Sequence, residues 1–359
     1  GLEQELTIGA NASRSHKDDF YAVAVLPQRQ NVLNPDHHLP KPDDSYYLSN
    51  ASRGGPMDMR IKQYGVYSTA RLKLAEPLTF VLGSRVSWYK SDSDSESWYQ
   101  GESTPVSSRA TETGQVTPFA AVLFDLNDNL TTYASYTDIF TPQGGYKTLN
   151  GEPLKPLIGT SYEVGIKGEW FDGRLNSSFN LFRTIQKDAA QDNPLCPDST
   201  CSQNSGKVQA QGFEAEVSGE VIERLQVLAG YTYTQTKVLE DANDDQDGLA
   251  YNTYVPRHLL RVWADYALGG SLDRITVGAG VNAQSSNYRV SPISGIDISQ
   301  AGYAIWNSRI GYRIDDTWSV ALNGNNLFDK RYYATVGTEG FGNFYGEPRN
   351  FVMSLKADF

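Results

Sequence analysis

The sequence predicts an all-β fold, an antiparallel β-barrel that crosses a membrane. Three observations carry that reading. Apolar and polar residues alternate with period two over segments of ten residues or so, the signature of a strand with one apolar and one polar face. The segments are joined alternately by short turns and long polar stretches, the connection pattern of membrane barrels with short periplasmic turns and long outer loops. A soluble sandwich or propeller has strands of about 5–6 residues and no such segregation.

The first alternating segment is residues 5–13, with Leu6, Ile8, Ala10 and Ala12 opposite Glu5, Thr7, Gly9, Asn11 and Ser13. A long polar stretch follows over about 15–58, containing a short apolar piece at 20–26 that reads as a hairpin arm within a loop. Then Tyr64, Val66, Ala70, Leu72 and Leu74 alternate with Gln63, Tyr67, Thr69, Arg71 and Lys73, and Ala75-Glu76-Pro77 turns the chain into residues 78–89. Further on, Tyr162, Val164, Ile166 and Trp170 oppose Glu163, Lys167 and Glu169, and Phe213, Ala215 and Val217 oppose Glu214, Glu216 and Ser218. Ile275, Val277, Ala279, Val281 and Ala283 oppose Arg274, Thr276, Asn282 and Gln284. Short turns are expected at 75–77, 127–129, 171–173, 221–224, 269–271 and 315–316. Long outer loops are expected at 15–58, 91–111, 140–159, 187–205, 238–255, 286–301 and 328–347. About fourteen strands result, an even number that starts and ends the chain on one side of the membrane. Such strands suit a bilayer, which needs about 9–11 tilted residues. The apolar rows carry almost no charge; Arg183 is the exception, near a loop end, where the cost of a lipid-facing charge falls. Trp88, Trp170, Trp318 and Phe359 are assigned to the interfacial belts.

Composition narrows the function. The chain has 359 residues, net charge -11 and pI about 4.9, which argues against nucleic acid and against a polybasic lipid-binding surface. Tyr numbers 22 and Gly 32 against 3 Met, which favours β-structure with many turns. No run approaches the roughly 18 apolar residues of a membrane helix. Cys196 and Cys201 lie in Cys-Pro-Asp-Ser-Thr-Cys. They read as a small disulfide in an oxidising compartment, because no nearby His or Cys completes a metal set. No signal peptide is visible at Gly1-Leu2-Glu3-Gln4. His37-His38 reads as part of a solvated Pro-rich loop rather than a metal site. The carboxylates of 241–247 are spaced like part of a calcium loop, but the sixth-position Gly and the downstream Glu are missing, so they read as an acidic outer loop. No Ser/His/Asp set, phosphate loop or catalytic carboxylate pair emerges; the chain does not read as an enzyme.

The final segment alternates Phe351, Met353, Leu355, Ala357 and Phe359 with Asn350, Val352, Ser354, Lys356 and Asp358. It is preceded by Asn326-Leu327-Phe328-Asp329-Lys330-Arg331-Tyr332 and Tyr345-Gly346-Glu347-Pro348-Arg349. This stretch resembles the end of TonB-dependent outer-membrane receptors. Tyr133-Ala134-Ser135-Tyr136-Thr137-Asp138-Ile139-Phe140-Thr141-Pro142-Gln143 resembles their ferric-siderophore branch. So does Leu154-Lys155-Pro156 leading into Gly159-Thr160-Ser161-Tyr162-Glu163-Val164-Gly165-Ile166-Lys167. The likeness is strongest to pyoverdine, coprogen and hydroxamate-type receptors. It implies a 22-stranded barrel filled by an N-terminal plug, of which residues 1–359 would be the C-terminal portion, with plug, TonB-binding box and first strands absent.

The resemblance further implies active uptake of an iron(III)–siderophore complex energised through TonB, in the outer membrane of a Gram-negative bacterium. The expected partners are a ferric siderophore, TonB through the missing N-terminal region, outer-membrane lipid and a phage or bacteriocin that uses the outer loops. No nucleic acid, no cofactor and a monomer are expected. A passive porin-like channel is the alternative. The siderophore fills the iron's coordination sphere, so recognition would rest on aromatic contact and hydrogen bonds in a cup above the lumen. The candidates are Trp98, Tyr99, Tyr146, Tyr251, Tyr254, Tyr288, Arg289, Tyr332, Tyr333, Phe344 and Tyr345. The competing reading of each is belt or loop packing.

Overall fold

The computed structural model describes residues 3–24, 40, 42–99, 102–193, 195–196, 201–242, 244–291, 294–338 and 342–358. In chain order the elements are β1 (Gln4–Ala24), α1 (Asp44–Asn50), β2 (Ala51–Ala75), β3 (Leu78–Tyr99), β4 (Glu102–Asn127), β5 (Leu130–Thr141) and β6 (Leu157–Trp170). Next come β7 (Leu175–Asp192), β8 (Ser202–Ile222), β9 (Leu225–Glu240), β10 (His258–Ala267), β11 (Ile275–Gln284), β12 (Asn287–Val290) and β13 (Asp297–Gln300). The chain ends with β14 (Tyr303–Arg313), β15 (Trp318–Asn325), β16 (Tyr333–Thr335), β17 (Phe344–Tyr345) and β18 (Asn350–Ala357). Fourteen strands form one antiparallel sheet in which each pairs with the next, from β1 through β11 to β14, β15 and β18. The remaining four form two small hairpins, β12–β13 and β16–β17. Among the described residues β1 and β18 are the two edges.

Register shows why the alternation matters. Leu72 pairs with Phe80, and that row runs through Val122, Ala134, Val164, Leu181, Phe213 and Tyr233 to His258. It begins near the short turn of β2 and reaches the outer end of β10, as a row perpendicular to tilted strands must. Beyond it, Val277, Ile310, Leu322 and Met353 share another outward row. The inward face reads differently: Thr131, Lys167, Ser178, Glu216, Gly230, Arg261 and Asn282 lie side by side. Val164 is 50% and Met353 76% exposed, so one face of the sheet presents a continuous apolar surface of the extent that calls for lipid. Buried apolar residues such as Ala110, Leu154, Ile305 and Ala321 are scattered, as in a sheet wall without a packed interior.

The turns follow from local chemistry. At 171–174, Phe171 and Asp172 adopt φ 55° and 56°, and Gly173 φ 83°; three successive positive φ values are reached at low cost only with a glycine among them. Asn127 Oδ1 accepts from the Asn129 N–H at 2.9 Å, and Asp315 Oδ1 accepts from Thr317 and Trp318 N–H groups at 2.9 and 2.7 Å, both Asx-type turns. Trp170 and Trp318 sit at the short-turn ends of β6 and β15, whereas Trp88 pairs with Tyr64 far along β2 and β3.

The expected long loops differ most from the structure. β1, β2, β3 and β4 run for 21, 25, 22 and 26 residues, beyond the about 9–11 a bilayer needs. Most of 91–111 is therefore strand, and residues 20–24 continue β1, paired with 51–56 of β2. The physical reason is that an arm above the bilayer is wet on both faces, so Ser91-Asp92-Ser93-Asp94-Ser95 shows no apolar row. The 140–159 and 187–205 loops also lose residues to the flanking strands, whereas 286–301 and 328–347 each contain a hairpin. His37, His38 and Phe359 lie outside the described residues.

A candidate ligand-binding surface in the outer loops

The outer loops interlock through a small set of hydrogen bonds. The Tyr288 N–H donates to Thr253 O at 3.1 Å, and Asn287 Nδ2 donates to Tyr254 O at 2.6 Å. These bonds dock the β12–β13 hairpin against the loop that follows β9. The Arg289 guanidinium lies over the Tyr254 ring, 5.6 Å from its centre, a cation–π contact. The Tyr251 carbonyl accepts from Thr236 Oγ1. The Tyr333 N–H then donates to Gln300 Oε1 at 2.7 Å, tying the same hairpin to the last loop.

In that last loop Tyr333 and Tyr345 stack at 4.7 Å and 19°, with their hydroxyls 3.3 Å apart. The Tyr345 hydroxyl beside it pushes the Tyr333 phenol above the usual tyrosine range, so the Tyr333 ring remains neutral at physiological pH. Tyr332 packs on Tyr303 at 4.4 Å and its backbone carbonyl accepts from Gly346 N–H at 2.9 Å. A Cβ at 346 would fall 1.9 Å from the Tyr332 ring, so only glycine allows this approach. Phe344 and Tyr345 remain 65% and 69% exposed.

Asn326 holds the loop in shape. It is 3% exposed with φ 49°. Its Nδ2 donates to Lys330 O at 2.9 Å and Glu347 O at 3.0 Å, and its Oδ1 accepts from Lys330 N–H at 2.8 Å. Asp329 Oδ1 accepts from Arg349 N–H at 3.0 Å. The Asn326-to-Tyr332 and Tyr345-to-Arg349 motifs are thus two halves of one clamp. Below it, on the inward face, a cavity of about 680 Å³ is lined by Arg261, Asn282, Gln284, Tyr303, Asn307, Tyr332 and Glu347, among others.

A second group of loops holds Tyr146, which is 51% exposed. Gln143 Nε2 donates to Asp188 O at 2.6 Å, and Ser202 N–H to Lys147 O at 2.7 Å. Cys196 and Cys201 are joined as a disulfide, with Cα atoms 5.8 Å apart, in the loop between β7 and β8. The acidic loop is pinned by Gln191, whose Nε2 donates to Asp241 Oδ2 and whose Oε1 accepts from Ala242 N–H at 2.7 Å. Asp247 Oδ1 accepts from Asp241 N–H at 2.9 Å. Among the described residues no group of three or more His, Cys, Asp or Glu is placed to hold a metal ion. Trp98 and Tyr99 end β3, their backbones paired with Ser103 and Glu102; their side chains lie outside the described set.

The structure therefore gathers Tyr251, Tyr254, Tyr288, Arg289, Tyr332, Tyr333, Phe344 and Tyr345 on three interlocked loops, and places Tyr146, Trp98 and Tyr99 elsewhere. Sequence reasoning passed over Tyr303, Gln300 and the role of Asn326. Asn326 stood in a quoted motif, but no local signal assigned its partners.

The family model described as TonB dependent receptor-like, beta-barrel matches residues 6–327. The ferric-pyoverdine M114 receptor PbuA of Pseudomonas sp. strain M114 is 79% identical over the whole chain, which covers 44% of that protein. The crystal structure of the outer-membrane ferripyoverdine receptor of Pseudomonas aeruginosa bound to ferripyoverdine superposes with TM-score 0.80 at 32% identity, over 99% of this chain and 46% of that one. The complex of FpvAI with pyocin S2 gives TM-score 0.79 at 31% identity, over 99% and 46%. The chain spans less than half the length of these relatives, which are named as receptors. With a matched family model over most of its length and a fourteen-strand antiparallel sheet of the same form, the chain belongs to the TonB-dependent receptor β-barrels of the Gram-negative outer membrane.

Proposed function

We propose that the chain supplies fourteen strands of a larger outer-membrane barrel that takes up an iron(III)–siderophore complex of the pyoverdine class, energised through TonB. The observation that carries the reading is the cluster of exposed aromatic side chains on three interlocked outer loops, with the Arg289 cation over Tyr254. Such a surface offers flat apolar contact and hydrogen-bonding tips to a chelate whose metal is already coordinated. It contributes no iron ligand, no cofactor and no enzymatic step. The 79% identity to a protein named for ferric pyoverdine supports the siderophore class. The two open sheet edges support a larger barrel, because unpaired backbone in hydrocarbon costs several kcal/mol per group. The remaining strands and a plug would come from the rest of the receptor, through which TonB acts. Outer loops of this kind also suit a bacteriocin, as in the FpvAI–pyocin S2 complex.

The test is binding and 55Fe uptake by the full-length receptor with ferric pyoverdines. Saturable binding and uptake that require TonB are expected. Binding of only a cobalamin, haem or sugar would overturn the siderophore class, and large steady conductance without energy coupling would favour a passive channel. Tyr333→Ala combined with Tyr345→Ala is expected to weaken ferric-siderophore binding by about tenfold or more, as loss of an aromatic anchor does, while barrel assembly is retained. Unchanged affinity would remove the stacked pair from the site.

A further inference from the structure

We propose that Arg289 is a specificity-determining residue that selects ferric chelates carrying a free carboxylate, one not spent on the metal. The inference rests on the siderophore reading above and names the charge that the outer loops choose. Its basis is a cation that the fold orients without giving it an ion partner. Arg289 is exposed on β12, and no carboxylate among the described residues forms an ion pair with it. This is unexpected in a chain with 42 Asp and Glu against 31 Lys and Arg. Asp297, the one carboxylate of the β12–β13 hairpin, pairs with Val290, whereas Arg289 pairs with Ile298. Alternation along the strands therefore puts Asp297 on the opposite face of the hairpin. In the acidic loop, Asp241 accepts from Gln191 and Asp247 accepts from the Asp241 N–H, so these carboxylates are engaged by other groups.

A ring, not a carboxylate, orients the cation. The Arg289 guanidinium carbon lies 5.6 Å from the centre of the Tyr254 ring. A guanidinium held over an aromatic face keeps its N–H edge free. That edge is a rigid planar fork, which matches both oxygens of a carboxylate. The ring is fixed in turn. Asn287 Nδ2 donates to the Tyr254 carbonyl at 2.6 Å, and the Tyr288 N–H donates to the Thr253 carbonyl at 3.1 Å. Asn287 is 9% exposed, and its Oδ1 is buried with no hydrogen-bond partner among the described residues. A buried orphan acceptor lowers stability, so Asn287 is explained by where it holds Tyr254 rather than by any stability it adds.

Ring and cation are both held before a ligand arrives, so little side-chain freedom is lost on binding. No second Lys or Arg lies in the hairpin. A lone guanidinium suits a singly charged planar anion better than a phosphate monoester, which carries about two charges at neutral pH. The oxygens that bind iron(III) are occupied by the metal, so the group that Arg289 reads is a further carboxylate on the periphery of the chelate.

The experiment uses the full-length receptor in detergent and two probes. One is a ferric pyoverdine with a free carboxylate; the other is the same iron-loaded compound with that carboxylate converted to a primary amide. The wild type is expected to bind the carboxylate form about tenfold more tightly, as a charge-assisted hydrogen-bonded pair warrants. Arg289→Gln should abolish that preference, so that the two forms bind alike. Arg289→Lys keeps the charge but not the fork and should keep only part of the preference. Asn287→Ala, which releases Tyr254, should narrow it too; the ratio of the two affinities, not either affinity, separates positioning from a general loss of loop structure. A preference undiminished in Arg289→Gln overturns the proposal, including the case in which both forms weaken by the same factor. Should Arg289→Gln fail to assemble, Arg289→Lys serves alone, and an undiminished preference there has the same meaning. If the wild type binds both forms equally, this proposal alone falls; if it binds neither, the siderophore reading falls with it.

Discussion

Asn326→Ala destabilises the last outer loop by about 2–4 kcal/mol, the range for a buried polar network that loses one member. Three side-chain bonds vanish, leaving the Lys330 N–H and the Lys330 and Glu347 carbonyls without their partner. The residue is 3% exposed, so water does not readily replace it. Its φ of 49° adds about 1 kcal/mol for alanine, which tolerates that region less well than asparagine. Asn326→Gly should therefore be milder than Asn326→Ala, although it loses the same bonds. Asn326→Asp keeps the acceptor for Lys330 N–H but sets a carboxylate against two carbonyl oxygens, and should be no better than alanine. Hydrogen exchange over residues 326–349 of the full-length receptor reads the effect directly. Protection equal to wild type in Asn326→Ala would show that the clamp contributes nothing.

Val164→Arg lowers the stability of the barrel in lipid bilayers by about 2–4 kcal/mol, the cost of a cation facing lipid near the midplane. Val164 lies six residues from the short-turn end of β6, between Ala134 and Leu181 in an unbroken apolar row. Lys167, on the opposite face, is natural there and pairs across with Thr131 and Ser178. Val164→Thr, which keeps the shape without a charge, should cost well under half as much. The measurement is reversible unfolding of the full-length receptor from vesicles in urea. A neutral Val164→Arg would mean that the two faces of β6 have been assigned the wrong way round.

Where one face of a strand meets lipid, the sequence states the fold. Ile275, Val277, Ala279, Val281 and Ala283 alternate without a break, and all five belong to one face in the pairing of β11 with both neighbours. The signal fails where lipid ends. Residues 91–111 hold two strand ends rather than a loop, because an arm solvated on both sides has no reason to alternate. The site was legible only as a list. Tyr254 and Arg289 are 35 residues apart, and their cation–π contact follows from hairpin docking that no local pattern encodes. Tyr332, singled out for its type, turns out to be packed on Tyr303 and over Gly346. Conversely, Asn326 was visible as part of a motif, yet its bond to Glu347, 21 residues on, forms only in the folded loop.

The pairing of every sheet strand with its next sheet neighbour along the chain has a kinetic consequence. Each hairpin closes by contacts of limited sequence separation, the longest described being β1 with β2, whose innermost pair is Ala24 with Ala51. Local closure lowers the entropic barrier at every step, so the wall can grow by successive hairpin addition. The order of growth is then set by turn quality and spacing: the 171–174 and 127–129 turns, which carry their own hydrogen bonds, should nucleate early, and the widely spaced pairs β1 with β2 and β15 with β18 should join late. Among the described residues the edges of β1 and β18 have no sheet partner, and their pairing is not supplied by hairpin growth. Until it occurs, two rows of unpaired amides are available to another chain, and that interval is when assembly is most exposed to aggregation.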